Sequence, residues 1–121
     1  MFVCDDAAEH RALVRAVLAD QPDLELVGEA IDGATCLTGL ALTRPDVLVL
    51  DLQMPVKDGW DVLAELRERP GAPRILVVSS NAGAAERVQA EGADFLVKGA
   101  PVEALRAAIR RLAPATGPSR P

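Results

Sequence analysis

The stretch Val47-Leu48-Val49-Leu50-Asp51 decides the fold class of this chain. Four consecutive aliphatic residues that end in a carboxylate and a turn are typical of a strand buried on both faces, as in parallel sheets. The same pattern opens the chain, where Met1–Cys4 runs into Asp5 and Asp6. Ligands bind at the carboxyl ends of strands in open α/β folds. The pattern therefore predicts three carboxylates at one edge of a sheet.

Short apolar segments alternate with helical segments along the rest of the chain, which predicts a parallel sheet with crossover helices. The second strand, Leu24–Gly28, is expected at the sheet edge because its polarity is mixed. The predicted fourth and fifth strands are Arg74–Val78 and Phe95–Val97, and the predicted helices are Ala8–Ala19, Gly33–Thr43, Trp60–Arg69, Ala84–Glu91 and Val102–Leu112. Together they form one α/β domain over residues 1–112, followed by a proline-rich disordered tail or linker at 113–121.

Composition argues against several function classes. A chain of 121 residues is long enough for one domain with a sizeable core. Its formal net charge of -5 argues against a nucleic-acid-binding surface, which is normally basic. No apolar run is long enough to span a membrane, and no leader precedes the first strand. The two cysteines, Cys4 and Cys36, lack disulfide or metal-ligand spacing. We therefore expect a cytoplasmic protein that binds neither nucleic acid nor membrane.

Polar side chains follow four of the five predicted strands: Asp5 and Asp6, then Asp51, Ser79 and Lys98. Two carboxylates 4 Å apart repel by roughly 4 kcal/mol at an effective dielectric constant near 20. Such a group is stabilised by protonation or by a bound cation, and oxygen ligands favour Mg²⁺. The ammonium and the hydroxyl suit phosphate oxygens. These parts predict phosphoryl transfer to a carboxylate.

The chain resembles the response-regulator receiver domain of two-component systems (CheY-like) over residues 1 to about 112. The residues that carry the resemblance are Asp5-Asp6, Asp51, Met54-Pro55, Asp58-Gly59, Ser79 and Lys98. Segments 22–30, 92–94 and 98–101 are similar to the NarL/LuxR-type subgroup. The resemblance implies a flavodoxin-like doubly wound sheet of five parallel strands in the order 2-1-3-4-5, with five helices.

The resemblance also implies a chemical role for the acids. Asp51 would be phosphorylated by a partner histidine kinase or by a small phosphodonor. Asp6, Asp51 and the backbone carbonyl of Gln53 would bind Mg²⁺ directly, while Asp5 would act through water. The domain would catalyse only its own phosphorylation and dephosphorylation, and so would not be an enzyme with an outside substrate.

The remaining family positions imply a switch. Lys98 would pair with the acyl phosphate, Ser79 would move to hydrogen-bond it, and Phe95 would be the switch aromatic. The output would be a change in the face made by the fourth helix, the fifth strand and the last helix. A partner or a second copy of the chain would bind there.

Two other functions stay open at this point. A hydrolase of the haloacid dehalogenase type also phosphorylates an aspartate, but it needs a second acid two residues later, where this chain has Gln53. A pseudo-receiver would keep the fold as a protein-interaction or dimerisation module without phosphorylation.

Single residues have simpler interpretations as well. Asp5 could cap the first helix, and Ser80 could replace Ser79 if the strand register differs. His10 is expected on the solvent side of its helix, and Trp60 is expected to pack at the start of the third helix.

Overall fold

The computed structural model describes residues 1–114, so residues 115–121 of the predicted tail lie outside the described part. A short 3₁₀ turn, Ala82–Ala84, precedes the fourth helix. The strands and helices are β1 (Phe2–Cys4), α1 (Ala8–Ala19), β2 (Gly28–Ala30), α2 (Gly33–Thr43), β3 (Val47–Leu50), α3 (Gly59–Arg67), β4 (Arg74–Ser79), α4 (Ala85–Ala90), β5 (Asp94–Val97) and α5 (Val102–Leu112). None of the helices in this part of the chain is long and apolar enough to cross a membrane.

The five strands form one parallel sheet in the order β2-β1-β3-β4-β5, which confirms the predicted fold. Three backbone hydrogen bonds extend the ladder just past the strand ends. Asp5 N donates to Ala30 O (3.0 Å), Asp51 N to Cys4 O (2.9 Å) and Lys98 N to Ser79 O (2.9 Å). The residues that follow β1, β3 and β5 are therefore held at one edge by the sheet itself.

Helices cover both faces of the sheet and create two cores. One core lies under α1 and α5 and includes Val14 and Ile109. The other lies under α2, α3 and α4 and includes Leu37 and Val62. All four β3 residues are at most 1% exposed, as the unbroken aliphatic run predicted. Each fully buried aliphatic side chain contributes about 1.5–3 kcal/mol by leaving water.

The second strand differs from the prediction. It pairs at Gly28–Ala30 and not at Leu24–Gly28, although it does lie at the sheet edge. The reason is the short partner strand, because β1 pairs only through Phe2–Cys4. Chain segment 24–27 lies beside Met1, which donates from its N-terminus to Glu25 O (2.6 Å) and accepts from Val27 N (2.7 Å), but the paired strand β1 begins only at Phe2. A period-2 pattern cannot reveal where a partner strand begins.

The turn between β3 and α3 contains a helix cap, a closely packed glycine and a left-handed residue. Asp58 caps α3 by accepting from Asp61 N (2.9 Å). An Asp-Gly pair is typical of a turn in which glycine takes left-handed angles, but Gly59 is absent from the residues with positive φ. It is required for close packing, since a Cβ there would lie 2.4 Å from Asp51 O. The left-handed residue of this turn is Val56, with φ of 68°.

Replacing Val56 with asparagine is expected to stabilise the fold by about 1 kcal/mol. A β-branched residue at positive φ costs roughly 1–2 kcal/mol, whereas asparagine adopts this conformation more readily. The Val56 side chain is 79% exposed, so little packing is lost. Thermal unfolding should show a rise in Tm of roughly 4 °C.

Leu42→Asn is the control for loss of an exposed apolar side chain. Leu42 is 81% exposed but lies inside α2, so this change should not stabilise the protein. An unchanged Tm for Val56→Asn would mean that the positive φ is not strained.

Candidate functional site

Three carboxylates meet at the carboxyl edge of the sheet, as the strand pattern predicted. One oxygen from each of Asp5, Asp6 and Asp51 lies within 4.8 Å of those from the other two. Asp5 and Asp51 are almost fully buried, at 1% and 5% exposure, while Asp6 is exposed. The group is therefore open to solvent on the Asp6 side.

Lys98 joins the two buried carboxylates. Its Nζ lies 3.0 Å from Asp5 Oδ2 and 3.3 Å from Asp51 Oδ2. Burial alone would lower the pKa of the Lys98 ammonium, but Asp5 and Asp51 together raise the pKa above its usual value. The side chain therefore stays charged at neutral pH and partly neutralises the acids.

The two buried acids have opposite pKa shifts. Burial would raise the pKa of Asp5, but His10, the Ala7 N–H and Lys98 together hold the pKa below its usual value of 3.8. Burial and the neighbouring Asp5 charge raise the pKa of Asp51 above 3.8, and Lys98 offsets this only in part. Of the two buried acids, Asp51 is thus the one for which the negative charge is less well stabilised by the folded protein.

Ser79 faces inward at the end of β4. It is 1% exposed and its Oγ accepts from Asn81 N (3.1 Å), whereas Ser80 is exposed. Ser79 lines a groove of about 370 Å³ together with Gln53, Trp60 and Asn81. The groove offers polar atoms beside the end of β3, and its walls include the position predicted to move.

The predicted switch aromatic lies in the second core. Phe95 on β5 pairs with Val77 and packs, partly buried, against the cluster under α2, α3 and α4. Trp60 packs against the same cluster, as expected, and its indole ring also makes a contact that was not predicted. The Arg87 guanidinium of α4 lies 4.0 Å from the centre of the indole ring, at cation–π distance. Trp60 therefore links the groove beside Ser79 to α4.

His10 is the site residue that sequence reasoning missed. It was expected to face solvent, yet its side chain is only 11% exposed and its Nδ1 lies 2.8 Å from Asp5 Oδ2. Its place in the first turn of α1, directly after the acidic end of β1, is the signal that could have revealed it. Asp5 also has a local role, because its Oδ1 accepts from Ala7 N (2.8 Å) just before α1 begins.

The donor set at this edge fits a hard divalent cation. The donors are carboxylate oxygens, and Lys98 supplies one positive charge against three acids. Asp5 Oδ2 is buried without a hydrogen bond, although Lys98 Nζ and His10 Nδ1 are close to it. The Lys98 ammonium serves Asp5 and Asp51 together, so a single positive charge faces two buried carboxylates and the exposed Asp6, and a further cation would be stabilised there.

Comparison with known proteins identifies the family. A family model described as the response regulator receiver domain matches residues 1–110. The chain belongs to this family. It is the receiver domain of a response regulator, and receiver domains bind Mg²⁺ at an acidic pocket of the kind seen here.

Curated relatives are much longer than this chain. A protein-glutamate methylesterase/protein-glutamine glutaminase of Myxococcus xanthus is 48% identical over 80 residues, which cover 66% of this chain and 23% of the relative. Another, from Methanospirillum hungatei, is 37% identical over 103 residues, which cover 81% of this chain and 30% of the relative. The chain thus matches less than a third of either relative.

These names correct one prediction. The sequence was interpreted as a domain that is not an enzyme with an outside substrate, whereas both relatives are named for enzyme activities. The strand-end residues could not reveal this, because the matched segment is only 23% and 30% of those proteins.

Solved structures agree with the receiver fold. The signal receiver domain of a response regulator NarL from Mycobacterium tuberculosis superposes with a TM-score of 0.82 at 31% identity, covering 91% of each chain. The response regulator domain of CheB from Thermotoga maritima gives a TM-score of 0.80 at 28% identity, covering 92% of each chain.

Proposed function

We propose that Asp51 is the phosphoacceptor of this receiver domain. The observation that carries the proposal is that Asp51, at the end of β3, lies 3.3 Å from Lys98 Nζ and forms one group with Asp5 and Asp6 at the carboxyl edge of the sheet. The Asp51 carboxylate would be the nucleophile toward a phosphoryl group. Its pKa is raised because the fold stabilises the negative charge poorly. Neutralisation by a cation or by Lys98 is therefore needed before a dianionic group can approach.

Asp6, Asp51 and the Gln53 carbonyl would hold Mg²⁺, with Asp5 acting through a water molecule. When bound, the ion supplies positive charge to the phosphoryl oxygens. Asp5 and Asp51 are both held by β-sheet hydrogen bonds, so their positions require little reorganisation.

Lys98 and Ser79 would change their contacts when Asp51 is phosphorylated. The phosphoryl group brings a charge of about -1.5 to -2, which attracts the Lys98 ammonium away from Asp5. Ser79 would exchange its contact with Asn81 N for one with a phosphoryl oxygen. The space that Ser79 leaves would let Phe95 turn inward, which shifts the population of the face made by α4, β5 and α5.

We propose that a histidine kinase is the phosphodonor: an Asp51 oxygen would form a bond to phosphorus as the bond from phosphorus to the kinase histidine nitrogen breaks, and the imidazole would leave. We also propose that the face made by α4, β5 and α5 binds an output partner or a second copy. On α5, Leu105 and Ile109 are buried in the core. The exposed Arg110 and Arg111 of α5 already form ion pairs within the domain: Arg110 lies 2.7 Å from Asp23 and Arg111 lies 3.4 Å from Asp94. A partner that binds these arginines would have to replace the two ion pairs, which are weak because they are exposed.

The free, buried thiols of Cys4 and Cys36 support a reducing, cytoplasmic location for this switch.

Trp60 fluorescence tests the cation site directly. Because Trp60 lines the groove beside Gln53 and Ser79, Mg²⁺ should change its emission in a saturable titration. Beryllofluoride added with Mg²⁺ should give a second change as Ser79 and α4 respond. Asp51→Asn should remove the second change and weaken the first.

Asp46→Asn is the matched control, because Asp46 is an exposed acid at the opposite end of β3 and should leave both changes intact. A titration that stays flat to millimolar Mg²⁺, with no acyl phosphate after incubation with acetyl phosphate, would contradict the proposal. That result would favour the pseudo-receiver, a binding module without a phosphorylation switch.

A further inference from the structure

His10 has no assigned role in the function proposed above, although it touches the site. Its Nδ1 is 2.8 Å from Asp5 Oδ2, and both atoms are buried. They lie at hydrogen-bond distance without hydrogen-bond alignment, and although Asp5 Oδ2 is also 3.0 Å from Lys98 Nζ, the buried His10 Nδ1 makes no hydrogen bond. Because an unsatisfied buried polar atom is costly, any small turn of the Asp5 carboxylate that aligns this contact is favoured.

The geometry separates His10 from the ligand group itself. The oxygens of Asp5, Asp6 and Asp51 lie within 4.8 Å of one another, and His10 is not a member of that group. It reaches Asp5 from the first turn of α1, where the neighbouring Arg11 donates to the Asp5 backbone carbonyl (2.8 Å). Adjacent residues of α1 thus contact the side chain and the backbone of Asp5. Because His10 lies outside the ligand group, it can act on a cation only through Asp5.

We propose that His10 is a positioning residue of the cation site, which sets the orientation of the Asp5 carboxylate toward the bound ion. The proposal rests on the proposed function, since it assumes that a divalent cation binds at these acids. Lys98 also contacts Asp5, at 3.0 Å from Oδ2 and 3.2 Å from Oδ1. His10 provides a second anchor for the same carboxylate, which keeps it placed when Lys98 moves toward a phosphoryl group.

The test is the Mg²⁺ dissociation constant of variants, measured with Trp60 fluorescence and no phosphodonor. His10→Ala is expected to raise the Kd about 10-fold, the lower end of the range for residues that orient metal ligands. The lower end applies because Asp5 would contact the ion through water. His10→Asn places an N–H close to the position of Nδ1 and should restore most of the affinity.

Arg15→Ala is the control on the same helix, because Arg15 pairs with Glu29 at the exposed surface and should leave the Kd unchanged. The free energy of unfolding without Mg²⁺ is measured in parallel, so that loss of fold is separated from loss of affinity. A wild-type Kd in His10→Ala, or no recovery in His10→Asn, overturns the positioning role. A wild-type protein that shows no Mg²⁺ response overturns the proposed function and this inference together.

Discussion

Replacing Asp51 with asparagine is expected to abolish acyl-phosphate formation and also to stabilise the Mg²⁺-free protein. Asparagine keeps the shape of the side chain but has no nucleophilic carboxylate, so intact-mass analysis after incubation with acetyl phosphate and Mg²⁺ should show no phosphorylated species. The free energy of unfolding in urea should rise, on the scale of single substitutions of roughly 0.5–3 kcal/mol. The reason is that Asp51 is buried beside Asp5 and its pKa is raised in the folded state.

The stability gain should depend on pH in a defined direction. Since folding raises the pKa of Asp51 above 3.8, the fold prefers the protonated carboxyl. Wild type and Asp51→Asn should therefore have similar stability below pH 3.8, and the difference should grow as pH rises through the folded-state pKa. Asp46→Asn, which removes an exposed acid at the other end of β3, should show neither effect. Phosphorylation that persists in Asp51→Asn would assign the phosphoacceptor to another residue.

Replacing Lys98 with methionine is expected to destabilise the Mg²⁺-free protein by about 3 kcal/mol. This is the lower end of the range for breaking a buried ion pair, because the Lys98 side chain is 24% exposed. Methionine keeps the length and apolar stem but leaves Asp5 and Asp51 without their shared cation. Chemical denaturation at neutral pH, without divalent ions, measures the loss.

Mg²⁺ should restore part of this stability. An ion at a hundred times its Kd stabilises the state that binds it by about 2.7 kcal/mol. The gain in Lys98→Met should exceed that of wild type, because the ion no longer shares the acids with an ammonium. Beryllofluoride should then fail to change Trp60 emission as it does in wild type.

Lys57→Met is the matched control, since Lys57 is the other lysine of the chain. It pairs with Glu65 at 2.5 Å, but its side chain is 41% exposed, so its removal should cost less than about 1 kcal/mol. Equal losses in the two variants would mean that Lys98 is an ordinary surface lysine, the interpretation that its position in the sequence alone could not exclude.

Most of the fold could be predicted because its signals are local. The α1, α2, β3 and α5 bounds follow the predicted ranges, since helical periodicity and an unbroken aliphatic run depend only on neighbouring residues. The β2 prediction was wrong by several residues because strand pairing depends on a partner elsewhere in the chain. α3 begins one residue earlier than predicted, at Gly59, and ends two residues earlier, at Arg67.

The sequence by itself determined which residues stand at the strand ends, because a strand that stops at a carboxylate or a lysine can be recognised along the chain. In a parallel sheet those ends meet at one edge, so the strand pattern alone brings Asp5, Asp51 and Lys98 together.

Only the tertiary structure decided how other side chains meet this edge. The His10 contact with Asp5 and the Arg87 contact with Trp60 depend on the rotation of α1 and α4 against the sheet, which packing sets. The same holds for the left-handed backbone of Val56, because a β-branched residue would avoid that conformation without the surrounding turn. Local patterns specify the elements and their ends, whereas the directions of side chains between elements follow from close packing.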